Sequence, residues 1–206
     1  MRIALLPALP ADRTEYVFSD VADRFTQAAQ QRFGAYPFVR YERLNIDDDP
    51  ASQGFGSRQF DIVVAANVLH ATGRLDRTLR HVRQLLAPGG RLVLLEGTAP
   101  LRFLDLTFGL TEGWWRFASD PARPAYPLIP VSQWQTLLET HGFDGFCFAS
   151  SNDATGGALP PQAVMTARAA SQRPIQPAGH WLVFADRGGV GERLSELLRS
   201  LGEAVT

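Results

Sequence analysis

The stretch from Phe60 to Thr98, FDIVVAANVLHATGRLDRTLRHVRQLLAPGGRLVLLEGT, decides the fold class. It opens with a continuous apolar run over 60–69, the pattern of a parallel strand that is covered on both faces. A helical stripe of leucine and valine follows over 74–86, and Pro88-Gly89-Gly90 ends it before a second buried strand over 91–95. This β-α-β order predicts a parallel sheet with right-handed crossovers.

Weaker patterns on both sides continue the alternation. The predicted elements are strands over 15–18, 39–46, 143–150 and 162–169 and helices over 21–33 and 132–141. Ser132 is the expected N-cap of the last of these helices, and Gly142 is expected to end it. The two final strands suit the antiparallel edge of the sheet. The predicted fold class is therefore α/β, with a Rossmann-like sheet.

A change of composition divides the chain. We predict a first domain over 1–170, a linker over 171–179 that contains Ser, Gln and two Pro, and the start of a second unit over 180–206. The strand HWLVFA, the turn DRGGVG and a following helix give this second unit the β-α opening of another Rossmann-like fold. DRGGVG lacks the complete G-x-G-x-x-G pattern, which argues against nucleotide binding there.

The bulk composition excludes several classes of function. The 206 residues carry a formal net charge of −1, so no basic footprint indicates nucleic acid or an anionic membrane. No apolar run approaches the roughly 18 residues of a membrane span, and we expect a cytoplasmic protein. The single Cys147, in an apolar run, excludes an internal disulfide and is expected to be buried. No third ligand groups with any histidine, so no metal site is predicted.

Polar residues close the predicted parallel strands, and ligands bind beyond the carboxyl ends of such strands. The clusters are Ser19-Asp20, Asn45 with Asp47, Asn67 with His70, and Glu96 with Thr98. All four should face one crevice.

His70 and Glu96 are the sharpest pair among these residues. A lone His after a buried strand is more often structural than catalytic. Here a carboxylate closes what should be the neighbouring strand, so Glu96 can bond one ring nitrogen and leave the other as a base.

The other clusters can be explained by structural roles as well as by ligand binding. Asp20 suits a ribose diol, but it equally suits an N-cap for the following helix. An amide or carboxylate at Asn45 or Asp47 can accept from an adenine amino group, while a solvated acidic turn is at least as good an interpretation. We assign the predicted cofactor contacts to Asp20, Asn45, Ile46 and Asn67.

At this point the motifs resemble a known family. Residues 60–72, FDIVVAANVLHAT, closely resemble the YDxVxAxNVLHAT segment of carbon methyltransferase domains in polyketide synthases. The similarity continues through LLAPGGRLVLLEGT at 85–98, then FGL at 108–110 and WW at 114–115, and covers about residues 1–170. The stretch from His180 resembles the opening of the structural, cofactor-free half of a ketoreductase.

The resemblance implies a class I methyltransferase fold that uses S-adenosylmethionine. The substrate would be a β-ketoacyl thioester held by an acyl carrier protein, methylated on its α-carbon, with other synthase domains as partners. In this family a His–Glu dyad removes the α-proton, and His70 and Glu96 match its positions. Asp20 matches the ribose-contacting acid, and Asn45 stands where an Asp is expected.

The family's first strand and glycine-rich turn, which hold the methionine part of the cofactor, would precede Leu5. We therefore expect the chain as given to lack them and to bind the cofactor poorly or not at all. Three hypotheses follow. The dyad is part of an enzyme completed by an upstream segment, or the chain is a non-catalytic scaffold fragment of a synthase, or it is another class I methyltransferase with a small-molecule substrate.

Overall fold

A computed structural model gives the fold. It describes residues 5–150, 161–170, 180–181, 183, 188, 190–200 and 204–205. The chain divides into two compact units, Met1–Ala170 and Ser171–Thr206. The linker predicted over 171–179 lies outside the described residues.

The first unit alternates strands and helices in the predicted order. Its strands are β1 (Tyr16–Asp20), β2 (Val39–Arg43), β3 (Phe60–Ala66), β4 (Leu86–Gly97), β5 (Phe143–Ser150) and β6 (Gln162–Ala169). Its α-helices are α1 (Asp23–Phe33), α2 (Leu75–Leu85), α3 (Arg102–Phe108) and α4 (Val131–Thr140). Four 3₁₀ helices cover Leu6–Ala8, Pro50–Gln53, Leu69–Ala71 and Glu112–Ser119.

The strand pairing confirms the predicted α/β class. β1 and β2 form a parallel pair, and the other four strands form one sheet in the order β3-β4-β6-β5. β3 and β4 are parallel, while β6 pairs antiparallel with both β4 and β5. Gly90, inside β4, allows this strand to lie close beside β3, because a Cβ there would lie 2.9–3.1 Å from three backbone oxygens, including those of Phe60 and Asp61.

The core lies between one face of the four-stranded sheet and helices α2 and α4. From the sheet it takes Leu92, Leu94 and Met165, and from the helices Leu79 and Trp134. These side chains alternate along the strands and recur at helical spacing in α2, so the buried face follows directly from the two periodicities.

The opposite face of the sheet is open at β3. Ile62 is 60% exposed and Val64 50% exposed, so the prediction that this strand is covered on both faces is wrong. The reason is positional, because β3 is an edge strand of its sheet and only its Val63 and Ala65 face packs against the core. A continuous apolar run in the sequence shows that both faces of a strand carry apolar residues. It does not show that other parts of the protein pack against both faces.

Three local features differ from or agree with the sequence patterns. Ser132 lies inside α4, whose N-cap is Pro130 without a side-chain cap bond, so the predicted cap is wrong. Cys147 is exposed rather than buried, because its strand β5 is the other edge of the sheet. Gly142 follows the end of α4 with a φ of +79°, as the C-terminal glycine prediction requires.

The second unit has its own small parallel pair. β7 (His180–Trp181) and β8 (Ala204–Val205) pair in parallel, and helix α5 (Val190–Ser200) lies between them in sequence. A strand followed by a helix is the order that the sequence pattern predicts for this unit. Its assignment to a ketoreductase stays a prediction.

Candidate active site

The side chains of His70 and Glu96 meet at the carboxyl ends of β3 and β4. The Nδ1 atom of His70 lies 2.6 Å from an Oε2 atom of Glu96. Parallel pairing explains the meeting, since Ala66 is in register with Leu95 and both chains leave the sheet on the same edge. His70 then sits in the short 3₁₀ helix Leu69–Ala71, one turn beyond β3.

Glu96 is held rigidly by the same turn. Its side chain is fully buried, and its Oε1 atom accepts hydrogen bonds from the backbone N–H groups of Val68 (3.2 Å) and Leu69 (2.9 Å). With Oε1 occupied in this way, Oε2 is directed at the imidazole. A buried carboxylate with partners on both oxygens can orient a histidine without having to move.

Asn67 forms the bend between β3 and this turn. Its φ of +53° is left-handed, a conformation that Asn tolerates better than most residues. Its backbone N–H donates to the Leu95 carbonyl at 2.7 Å, which keeps the bend next to β4. A non-glycine residue held in this region costs about 1–3 kcal/mol and occurs preferentially at functional sites.

Beside His70 lies a cavity of about 500 Å³. Its lining includes Asn67, His70, Leu101, Leu104, Phe108 and Leu128. The polar lining residues Asn67 and His70 lie at the sheet tips, whereas apolar residues of α3 and of the following loop form much of the remainder. An apolar cavity with a few convergent polar groups is the usual form of a small-molecule site.

The aromatic wall of this cavity contacts the imidazole. The Trp114 ring lies edge-on to His70 with a centroid distance of 6.1 Å, and it stacks on Phe108 at 5.8 Å. Trp114 is buried, so the side of the imidazole that it covers is shielded from water. The sequence pattern places these aromatic residues after β4 and indicates no role for them.

Two residues that sequence reasoning missed complete the site. Asp120 and Arg123 form a fully buried ion pair, with Nε to Oδ2 at 2.8 Å. Arg123 also donates to the backbone carbonyls of His70 (2.6 Å) and Thr72 (2.7 Å). The only signal in the sequence is an acid and an Arg three residues apart in a proline-rich loop, a pattern with no specificity of its own. Burial lowers the pKa of Arg123, and the hydrogen bond to Asp120 opposes that shift.

Comparison with known proteins places this geometry in a family. A protein-family model described as a methyltransferase domain matches residues 3–92 of this chain. The lovastatin diketide synthase of Aspergillus terreus is 43% identical over 143 residues, which are 69% of this chain and 6% of that protein. The carbon methyltransferase CurJ is 47% identical with a TM-score of 0.76, over 81% of this chain and 44% of that one. These similarities support a carbon methyltransferase domain of the polyketide synthase type.

A third relative carries a ligand in its solved structure. The trans-methyltransferase CalH, solved in complex with SAH, is 39% identical with a TM-score of 0.69, over 76% of this chain and 43% of that one. The present chain thus spans less than half of each of these two solved methyltransferases, and about a twentieth of the curated synthase.

The predicted cofactor contacts of this methyltransferase chain fall in two places. Asn67 lines the cavity beside His70, whereas Asp20, Asn45 and Ile46 are not part of its lining. Asn45 is engaged within its own turn, because its Oδ1 atom accepts from the Asp47 N–H and its Nδ2 atom donates to Asp48. The Ile46 carbonyl accepts from the His81 ring at 2.8 Å.

Asp20 keeps one carboxylate oxygen available. Its Oδ1 atom accepts from the Ala22 N–H at 2.9 Å in a local turn. The N-cap of α1 is Ala22, without a side-chain cap bond, so the interpretation of Asp20 as the N-cap is wrong. Its Oδ2 atom has no hydrogen-bond partner within the described part of the chain. Asp20 is half-buried at the carboxyl end of β1, where a ligand hydroxyl can reach it.

Asp47 has a different role from the one considered for it. Its carboxylate accepts from the Gly73 N–H at 2.9 and 3.2 Å and lies 3.7 Å from the guanidinium groups of Arg77 and Arg116. This fully engaged carboxylate ties the loop after β2 to the turn after His70, so it is neither a solvated turn residue nor a free acceptor.

The described residues contain no group of three or more His, Cys, Asp or Glu side chains that could hold a metal ion. Among the helices of those residues, none has the length and apolar character needed to cross a bilayer.

Proposed function

We propose that the chain is the S-adenosylmethionine-dependent carbon-methylating region of a polyketide synthase, acting on the α-carbon of a β-ketoacyl thioester carried by an acyl carrier protein. The observation that carries this proposal is the 2.6 Å contact between His70 Nδ1 and Glu96 at the edge of an apolar cavity. It leaves Nε2 as the nitrogen without a hydrogen-bond partner among the described residues.

The geometry supports the following proton chemistry. His70 Nε2 accepts the α-proton, and the electron pair of that C–H bond moves into an enolate delocalised over the ketone and thioester carbonyls. Glu96 accepts the Nδ1–H, fixes the tautomer and stabilises the imidazolium that forms. When bound, S-adenosylmethionine supplies an electrophilic methyl group to the nucleophilic α-carbon. His70 then releases the proton to solvent.

The apolar wall supports an acyl substrate. Leu101, Leu104 and Phe108 of the α3 region and Leu128 offer only hydrocarbon to a ligand, which suits the chain of an acyl group. The apolar wall also limits the access of water to the enolate, which slows its reprotonation without preventing it. An acyl carrier protein and the other synthase domains are the partners that this substrate implies.

The fit of the chain to the cofactor is strongest at Asp20. Its available Oδ2 atom can accept hydrogen bonds from a ribose diol. Asn45 and Ile46 offer less, because the side chain of the first and the carbonyl of the second are engaged. In the described residues of the first unit, no glycine-rich turn follows a parallel strand, so the methionine end of the cofactor has no backbone cradle there.

The test separates the proton step from methyl transfer. The chain is incubated in D₂O with a 3-oxoacyl N-acetylcysteamine thioester, and deuterium uptake at the α-carbon is followed by NMR with and without methyl-¹³C-labelled S-adenosylmethionine. We expect exchange above the uncatalysed rate, lost in His70→Ala, and ¹³C-methyl at the α-carbon when the cofactor is present. His141→Gln, at the far end of α4, is the matched control and should keep the rate. An exchange rate in His70→Ala equal to that of the wild type would refute the assignment of His70 as the base.

A non-catalytic scaffold is the second candidate. It is favoured by the exposed Ile62 and Val64 side chains at the edge of the sheet. Calorimetry with S-adenosylmethionine discriminates the two, since a scaffold should give no heat of binding. Micromolar binding to this chain would exclude the scaffold and would also refute the expectation of poor cofactor affinity.

A further inference from the structure

We propose that Arg123 and Asp120 act as a positioning pair for His70, and that they set the position of the imidazole by holding the backbone that carries it. This inference rests on the proposed function for its catalytic consequence, although its structural consequence is independent of it. The pair lies 50 residues downstream of His70 in the loop between the 3₁₀ helix Glu112–Ser119 and α4.

The contacts of Arg123 are concentrated on the backbone that carries His70. Its Nη1 atom donates to the carbonyl of His70 itself, and its Nη2 atom donates to the carbonyl of Thr72. Its Nε atom donates to Asp120, so each nitrogen of the guanidinium has one partner. The side chain is fully buried, so its removal leaves two carbonyl groups in the interior without these bonds.

Asp120 connects the same turn to helix α2. Its Oδ2 atom accepts from the N–H of Leu75, the first residue of α2, at 2.9 Å, and from Arg123. Its Oδ1 atom accepts from the N–H of Ala122 at 3.0 Å. Asp120 therefore caps the helix that follows the His70 turn and holds the guanidinium in place at the same time.

Glu96 and Arg123 hold complementary groups of one short segment. Glu96 accepts hydrogen bonds from the N–H groups of Val68 and Leu69, just before His70. Arg123 donates hydrogen bonds to the carbonyls of His70 and Thr72. The two side chains also attract each other, because one is an anion and the other a cation in the same buried region. Movement of this segment would break hydrogen bonds at both of its ends, so the two side chains fix the backbone from which the imidazole reaches Oε2 of Glu96.

The side chain has to be Arg for geometric reasons. A guanidinium is a planar fork that reaches two carbonyls and a carboxylate at once, whereas a Lys ammonium is a compact charge on a longer flexible stem. We therefore expect Lys at 123 to keep the charge and to lose the second carbonyl contact. This gives a graded series in which charge and geometry are separated.

The test compares Arg123→Met, Arg123→Lys and Asp120→Asn with the exposed Arg168→Met as the matched control. Arg168 forms an exposed pair with Asp144 on the sheet and has no contact with the His70 turn. The first readout is the downfield ¹H resonance of the His70 Nδ1–H, assigned by its loss in His70→Gln. The second is the α-proton exchange rate of the full chain, resolved into kcat and KM.

We expect Arg123→Met to broaden or lose the resonance and to lower kcat for exchange by about 10- to 100-fold, with KM changed less than about threefold, because displacement of a reacting group by about an ångström has that effect. The resonance and the kcat of Arg123→Lys should lie between those of Arg123→Met and the wild type. Guanidinium ion added to Arg123→Ala should restore part of the exchange rate. Arg168→Met should change neither readout.

Retention of both the resonance and kcat in a folded Arg123→Met would overturn the proposal and leave the pair a purely structural one. If Arg123→Met does not fold, by circular dichroism, the same two outcomes are read from Asp120→Asn and Arg123→Lys. Failure of the proposed function gives a different pattern. His70→Ala would then exchange like the wild type, while the resonance would still respond to Arg123.

Discussion

Two segments border the same cavity and are held in opposite ways. The turn over 67–75, which carries His70, has its backbone groups bonded by four buried or mostly buried acidic and basic side chains, namely Asp47, Glu96, Asp120 and Arg123. Helix α3 on the other wall has no buried residue, and its Leu106 is 75% exposed. One wall is fixed by polar bonds in the interior, and the other is an apolar cover.

The difference shows how a site can be both accurate and accessible. The base must be oriented within a few tenths of an ångström, and buried charged hydrogen bonds provide that accuracy because breaking any one leaves an unsatisfied group. The apolar cover has to admit an acyl substrate, so its free energy of local unfolding should be low. Its connections to the rest of the unit include the Tyr126–Asp105 hydrogen bond at 2.7 Å and the stacking of Phe108 on Trp114.

The largest expected effect comes from removing Glu96. Glu96→Ala leaves the N–H groups of Val68 and Leu69 and the His70 ring without their buried acceptor, so the free energy of unfolding should fall by about 3 kcal/mol. Urea denaturation followed by fluorescence measures this loss. Glu139→Ala, on the exposed face of α4, is the control; equal losses in the two variants would contradict the special role of the turn.

A smaller effect should follow from the buried hydroxyl pair behind the turn. Thr78 Oγ1 donates to Thr72 Oγ1 at 3.0 Å, and Thr78 is completely buried. Thr78→Val keeps the shape and leaves the Thr72 hydroxyl without that contact, at a cost of about 1–2 kcal/mol. The measurement is again urea unfolding, with Thr136→Val on the exposed side of α4 as the comparison. A change below about 0.3 kcal/mol would show that the turn is less tightly coupled to α2 than the contacts indicate.

The cover should respond locally rather than globally. Burial and then the hydrogen bond to Asp105 raise the pKa of Tyr126, so its hydroxyl stays protonated at neutral pH and donates to that carboxylate. Tyr126→Phe should accelerate amide hydrogen exchange in α3 about three- to tenfold, which corresponds to a bond of about 1 kcal/mol, and leave α2 unchanged. Exchange followed by mass spectrometry checks this, and equal acceleration in α2 would contradict the division between the two walls.

The smallest effect is expected at the surface of α2. The hydrogen bond from Arg74 is the main cause that lowers the pKa of Asp76 below its ordinary value of 3.8. A lowered carboxyl pKa stabilises the fold above that ordinary value, and the contribution is lost as the pH falls through the folded pKa. The stability difference between wild type and Asp76→Asn should therefore be below about 1 kcal/mol at pH 7 and vanish in strong acid. A difference that grew on acidification would contradict the sign.

The sequence by itself determined the α/β class, the order of the elements and the closing of adjacent strands by His70 and Glu96. Periodicity and glycine positions carry that information locally, and parallel neighbouring strands bring their ends together without further detail. The strands at 143–150 and 162–169 were predicted with their observed bounds for the same reason. The family motifs then identified the methyltransferase, while the roles of Asp20, Asn45, Ile46 and Asn67 toward a cofactor stay predictions.

Only the tertiary structure decided which residues hold the dyad and which face of β3 is covered. Arg123 reaches the His70 carbonyl from 53 positions away, Asp47 bonds Gly73 from 26 positions away, and neither contact has a local signature. The open face at Ile62 and Val64 is equally invisible in a run of apolar letters, because burial depends on what packs against a strand. Local patterns specify conformation and spacing, whereas long-range hydrogen bonds and coverage depend on how distant segments meet in space.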